Sequence, residues 1–142
     1  MKTLYLRAVI FLLMSIPYLL FSQSDESALY ADSQLTVEVV KGECRDEKND
    51  IHKEYVFLSF TNNTSKTLTV SYKQHLWYND ECLTCDVQSE EYTYTVDLAP
   101  GQKLVPECRD RKNRAVAVFS KMINIDTRQL TNIELVDVVV SE

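Results

Sequence analysis

Hydrophobic and polar residues alternate with a period of two along much of the chain beyond residue 34. Leu35, Val37 and Val39 interleave with Thr36, Glu38 and Val40, which predicts a strand ended by Gly42. Val56, Leu58 and Phe60 share one face of a second predicted strand over 54–61, and Leu68, Val70 and Tyr72 share one face of a third over 66–78. Between these two lies Asn62-Asn63-Thr64-Ser65, a turn, because asparagine tolerates the left-handed backbone that turns require. Tyr92, Tyr94, Val96 and Leu98 mark a fourth strand over 92–98. Pro100-Gly101 then suits a type II turn, with proline at the first central position and glycine at the second. A short strand follows over 102–106. The next, over 114–122, is almost continuously apolar, as expected of a strand buried on both faces. A seventh covers 130–140. No segment keeps a helical period, and only 124–129 has room for one helical turn. Seven short strands separated by turn signals predict an all-β fold, a two-sheet antiparallel sandwich.

The first residues follow a different pattern. Lys2 and Arg7 precede an uncharged, largely apolar run from Ala8 to Phe21, interrupted by Pro17 and followed by Ser22 and Ser24. The run falls short of the ~20 residues a membrane span needs, and it ends in small polar residues, as a secretory signal does. This divides the chain into a signal peptide at 1–22 (cleaved after Ser22 or after Ser24), a flexible lead-in at 23–34 and one sandwich domain at 35–142. The ending Leu20-Phe21-Ser22-Gln23 resembles the signals of Gram-negative envelope proteins, which implies a periplasmic or secreted protein with no membrane span after cleavage.

Charge narrows the partners. The 142 residues carry 15 Lys+Arg against 21 Asp+Glu, a net −6. Lys2 and Arg7 are the only charges in residues 1–22, so the exported part is more acidic by two. Such a surface repels phosphate and argues against nucleic-acid binding. With two glycines and two histidines there is no Gly-rich phosphate cradle, no GxSxG elbow and no HExxH helix. No cofactor or metal is called for, and the reading is non-enzymatic.

Over 35–140 the chain resembles the broad group of bacterial immunoglobulin-like envelope domains. The resembling residues are Phe60-x-Asn62-x-Thr64 after the second strand and Leu98-x-Pro100-Gly101 after the fourth. The resemblance implies a fold and no particular activity. Trp77 and the cysteines do not follow the Cys…Trp…Cys spacing of antibody domains, so no core disulfide is carried over.

The four cysteines, Cys44, Cys82, Cys85 and Cys108, fall in the predicted loops or at their edges. If successive strands reverse direction, those loops all open at one pole. Glu43-Cys44-Arg45-Asp46-Glu47-Lys48-Asn49 matches Glu107-Cys108-Arg109-Asp110-Arg111-Lys112-Asn113 at all but one position. An even cysteine count in a small exported domain favours disulfides. Four cysteines allow three connectivities, of which Cys44–Cys108 plus Cys82–Cys85 is favoured. The alternative is a thiol-redox or zinc-binding protein using Cys82/Cys85 with Cys44 and Cys108. Against redox catalysis stand Asp80, Glu81 and Asp86, whose charge disfavours a thiolate. Against zinc stand the single CxxC and an oxidising compartment.

A binding surface is the remaining candidate. In Tyr72-Lys73-Gln74-His75-Leu76-Trp77-Tyr78, strict alternation puts His75 and Trp77 opposite the Leu68/Val70 face. With Tyr78 they form a candidate surface for a protein or glycan partner. The competing expectation is a bulge that turns Trp77 inward or under the next loop. Tyr92 and Tyr94 are expected to face the core. Arg109, Arg111, Lys112 and Arg114 form a basic loop, expected to pair with the acids of 80–91. Those acids lack a D-x-D-x-D-G calcium loop. His52 is expected to be solvated, and no nucleophile is placed beside either histidine.

Overall fold

The computed structural model describes residues 27–87 and 89–142. The signal peptide and its cleavage point lie outside the described residues. The described chain forms nine strands in two antiparallel sheets and no α-helix. The first sheet holds β1 (Ser27–Ala31), β2 (Leu35–Asp46), β3 (Ile51–Asn62), β7 (Lys103–Leu104) and β8 (Ala117–Met122). The second holds β4 (Leu68–Tyr78), β5 (Glu81–Cys82), β6 (Thr93–Leu98) and β9 (Leu130–Ser141).

β3 and β4 are the central strands. β3 pairs with β2 along one side and with β7 and β8 along the other. β4 pairs with β9 on one side and with β5 and β6 on the other. The inner faces meet in one core, which includes Val37, Leu58, Phe60, Leu68, Val70, Tyr72, Leu98 and Val118. Period-two alternation places these residues inward because only one face of each strand is covered by the opposite sheet.

Asn62, 1% exposed, fixes the corner between the sheets. Its Nδ2 donates to the carbonyls of Lys66 (2.7 Å), Leu98 (3.3 Å) and Ala99 (2.9 Å). Its Oδ1 accepts from the backbone N–H and the hydroxyl of Thr64, each at 2.8 Å. The second motif closes on the same corner. Gln102 N–H donates to Ala99 O across the Pro100-Gly101 turn, Gly101 takes φ +66°, and its N–H donates to Thr64 O at 3.0 Å. The two short motifs quoted from the sequence are therefore one hydrogen-bonded unit.

Three expectations change. The lead-in is not wholly irregular, because Ser27–Ala31 pairs with Thr36–Val39 as β1. The charged stretch after Gly42 is not a long loop. β2 and β3 continue in register to Asp46 and Ile51, so Cys44 lies inside a strand, opposite Lys53. Ladder hydrogen bonds override the low strand propensity of the charged residues there. Gly42 continues the strand as well. A Cβ on it would lie 2.7 Å from the Phe57 ring, which occupies that space on the sheet's outer face. No helical turn forms over 124–129; two 3₁₀ turns form instead at Glu90–Tyr92 and Cys108–Asp110.

The apolar stretch 115–118 is buried throughout. Val116 and Val118 enter the main core. Ala117 turns outward and packs with Phe57 and Cys44, partly covered by Tyr55 and Cys108. The outer face of the first sheet is dry here because the segment carrying Cys108 lies over it.

Two outcomes follow. Asn62→Ala strips five hydrogen bonds from a buried corner and lowers the unfolding free energy by about 2–3 kcal/mol in urea titration. Burial pushes the phenol of Tyr72 far above its ordinary value, while its hydroxyl donates to Ala115 O. Its folded pKa is raised, so its contribution is complete below about pH 10, the unfolded value, and is lost as pH climbs beyond it. Absorbance at 295 nm should show Tyr72 ionising only with alkaline unfolding, and Tyr72→Phe should remove that late increment.

Candidate functional site

The outer face of the second sheet carries His75 and Trp77. Residues 69, 71, 73, 75 and 77 of β4 point away from the core, since 68, 70, 72, 74 and 76 point into it. Register puts Val136 beside Lys73, Glu134 beside His75 and Asn132 beside Trp77. The His75 and Trp77 rings meet edge to face, with centroids 6.0 Å apart and planes at 75°. Both side chains are half-buried. On the β6 side the same face presents Thr93, Thr95 and Asp97; the Thr69 hydroxyl donates to Asp97 at 2.7 Å.

Two irregularities in the β4–β9 pairing shape this face. Ser71 pairs with Val139 and Lys73 with Val136, so Asp137 and Val138 both oppose Tyr72. This bulge lets Val138 pack on the core while Asp137, at φ +52°, joins the outer face. Lys73 Nζ donates to Asp137 at 2.9 Å. That hydrogen bond and the lysine's charge, with a smaller contribution from His75, hold the Asp137 carboxyl below the ordinary carboxylate range. The second irregularity lies between Trp77 and Tyr78. It places the extra residue, Thr131, on β9, so β4 keeps its alternation: Trp77 stays on the outer face and Tyr78 turns toward the first sheet, where its hydroxyl donates to Phe119 O. Burial raises the Tyr78 phenol above its ordinary value. Tyr78 thus ties the two sheets together and leaves the surface to His75 and Trp77.

The cysteines form two bridges, Cys44–Cys108 and Cys82–Cys85, the pairing favoured from the sequence. Both lie toward the same end of the sandwich. Cys44 is opposite Lys53 near the start of β3, and Cys82 is opposite Trp77 near the end of β4. They are separate fasteners and not one cluster. Cys44–Cys108 lies on the outer face of the first sheet, over Phe57 and Ala117. Cys82–Cys85 lies along one edge of the second, where it brackets Thr84. The Thr84 hydroxyl, 7% exposed as a residue, accepts from Leu76 N–H at 2.9 Å and donates to Gln74 O at 2.8 Å. Leu83 N–H donates to Leu76 O at 2.9 Å. These contacts satisfy the part of the β4 edge that β6 and β5 leave unpaired. With every cysteine bridged, no thiolate is offered to a metal or a substrate in this state.

The remaining candidates are placed as follows. His52 is not simply solvated, since its Nε2 lies 3.1 Å from Glu43. Tyr94 faces the core, 6.1 Å from Tyr72, while Tyr92 lies under the Arg114 guanidinium at 5.7 Å. Arg109 pairs inside its own loop, 3.8 Å from both Glu107 and Asp110, and Arg111 donates to Cys108 O. Glu81 meets Arg128 at 3.6 Å, not the basic loop. The contacts of Arg109 and Arg111 are local, because a short loop brings its own charges together first, whereas Glu81–Arg128 joins two distant parts of the chain. An open cleft of about 500 Å³ lies between the Glu43/Glu54 pair of the β2–β3 ladder and residues 121–129, with Met122, Ile125 and Asp126 on its walls. Sequence reasoning passed over this cleft and Thr84 alike, since neither has a local signature.

No helix among the described residues is long and apolar enough to cross a membrane. Comparison with known proteins finds no matching family model, no matching curated protein and no matching solved structure. The geometry itself is the guide to function.

The bridges should differ in what they stabilise. Cys44–Cys108 spans a sequence separation of 64 and Cys82–Cys85 one of 3. In the chain-entropy model, Cys44→Ser with Cys108→Ser costs about 4 kcal/mol, and Cys82→Ser with Cys85→Ser about 2 kcal/mol. Urea unfolding of the two double variants measures the difference.

Proposed function

We propose that this protein is a non-enzymatic, exported binding domain of immunoglobulin-like build, stapled by its two disulfides. It engages a protein or glycan partner at the cell envelope through the His75–Trp77 face. The immunoglobulin-like assignment is supported by the strand neighbours. β3 lies between β2 and β8, and β4 between β6 and β9, as the second and third strands of such domains lie between their partners. Export is supported by the two disulfides, which persist in oxidising compartments, together with the signal-like pattern of residues 1–22.

The observation that carries the binding reading is the half-buried pair of His75 and Trp77 on an outer sheet face. Aromatic side chains there are flanked by Asn132, Glu134 and the Lys73–Asp137 pair. A large apolar ring beside fixed donors and acceptors is the composition of a recognition hot spot. An open sheet face suits an extended ligand surface better than a small enclosed substrate.

Trp77 is the only tryptophan in the chain, so its emission reports on this face alone. Partners captured from the native envelope fraction, and glycans from the same source, are titrated while Trp77 fluorescence is followed. The expected result is a saturable change in emission, with at least tenfold weaker binding for His75→Ala and loss of capture for Trp77→Ala at unchanged β-sheet circular dichroism. A partner that binds Trp77→Ala as tightly as the natural protein would refute the assignment of the face.

A further inference from the structure

We infer that Cys82–Cys85 is a thiol–disulfide exchange site for a dithiol, and that its reduction opens the β4 edge at Gln74–Leu76. The inference does not rest on the binding role of the neighbouring face. The two bridges differ at one sulfur: each has half-buried cysteines, Cys108 in the first and both Cys82 and Cys85 in the second, but only the first has a buried member. Cys44 is 6% exposed and lies in a packed outer cluster with Phe57 and Ala117. Cys82 and Cys85 are half-buried, beside Leu83 at 42% exposure, and enclose only two residues. A small ring removes little conformational freedom from the reduced chain, so the oxidised form gains less from closure than it does across a long loop. Exposure and weak stabilisation mark the labile member of a set of disulfides.

The local geometry also selects the sulfur attacked. Cys85 N–H lies 3.1 Å from Cys82 Sγ. A backbone donor there stabilises charge developing on Cys82, so Cys82 leaves as the thiolate while an incoming thiolate bonds to Cys85 Sγ. The second thiol of the same dithiol then attacks its partner sulfur in the mixed disulfide and expels Cys85. The dithiol ends as a disulfide, and the protein gains two electrons and two protons. Asp80, Glu81 and Asp86 oppose a stable thiolate at this site, which makes the bridge a substrate of exchange and not its catalyst.

The consequence is structural. Thr84 is held against β4 by the bracket on either side of it, and among the described residues its hydroxyl is what satisfies Leu76 N–H. Released from the bracket, residues 83–87 gain backbone freedom, and the contacts to Gln74 O and Leu76 open. An exposed sheet edge is a template for an added strand.

The oxidised full-length protein is titrated with dithiothreitol, thiols are trapped with iodoacetamide and located by mass spectrometry, and amide exchange is followed in parallel. Cys82 and Cys85 should be trapped at a reductant concentration at least tenfold below that required for Cys44 and Cys108. In that two-thiol species Leu76 N–H should exchange at least tenfold faster, with Leu58 and Val70 still protected. Cys82→Ser with Cys85→Ser should reproduce the fast Leu76 exchange without reductant, and Thr84→Val should do so with the bridge intact. Simultaneous trapping of all four cysteines, earlier trapping of Cys44 and Cys108, or an unchanged Leu76 rate in any of these species overturns the inference.

Discussion

Asn62 holds the corner on which the two sheets depend. The chain leaves β3, turns through residues 63–67 and enters β4. Except for β1, which pairs with β2, every other strand hydrogen-bonds to one of those two. A buried amide can stand here because each of its polar atoms is used. It bonds to the turn that follows and to the carbonyls of Leu98 and Ala99, which belong to a different connection. An apolar residue of similar size would leave those carbonyls dry and unpaired, and the cost of an unsatisfied buried acceptor exceeds the net gain from an ordinary hydrogen bond. The corner therefore fixes the relative placement of both sheets at one end.

At the other end the sandwich is closed by different means. Tyr78 crosses from the second sheet to the Phe119 carbonyl, and Cys108 anchors a flap over the outer face of the first. The flap changes what the strand beneath it has to be. Residues 115–118 are apolar without alternation because one side meets the core and the other meets Phe57, Cys44 and the flap. Gly42 belongs to the same arrangement, since a side chain there would meet the Phe57 ring. The first sheet thus has a second, smaller dry patch, and the long-range disulfide holds its cover in place.

The second sheet keeps its outer face open. Its β4 strand presents Lys73, His75 and Trp77 outward, and the bulge at Asp137 adds a carboxylate to that face without removing Val138 from the core. One β-bulge thereby serves packing and surface chemistry together. Between the stretches paired by β6 and by β5, the β4 edge at Gln74–Leu76 is closed by the Thr84 hydroxyl and the Leu83 N–H and not by a strand. An edge closed by one hydroxyl and one backbone N–H in a four-residue ring is easier to open than one closed by a ladder, and it lies next to Trp77.

Local alternation determined the strands and their inward faces. Leu58, Phe60, Leu68, Val70 and Leu98 lie where a period of two puts them, since a half-buried strand has no other way to keep its apolar side dry. The turns at Asn62 and Pro100-Gly101 were legible from their residue types, but for different reasons: Gly101 supplies a positive φ, whereas neither Asn62 nor Asn63 takes the left-handed backbone expected of the turn and Asn62 acts through its side-chain hydrogen bonds. What only the tertiary structure decided is how those pieces share their partners. The near-identical segments at 43–49 and 107–113 show the limit: the first runs on as strand β2 into a turn, while the second makes a 3₁₀ turn, although one disulfide joins them. Their sequence is almost the same, but the first has β3 alongside to pair its backbone and the second does not. The pairing of Thr84 with β4 and the extension of β2 past Gly42 have the same origin. Each depends on a hydrogen-bond partner or a packing neighbour supplied by another part of the chain, and no local pattern of residues encodes it.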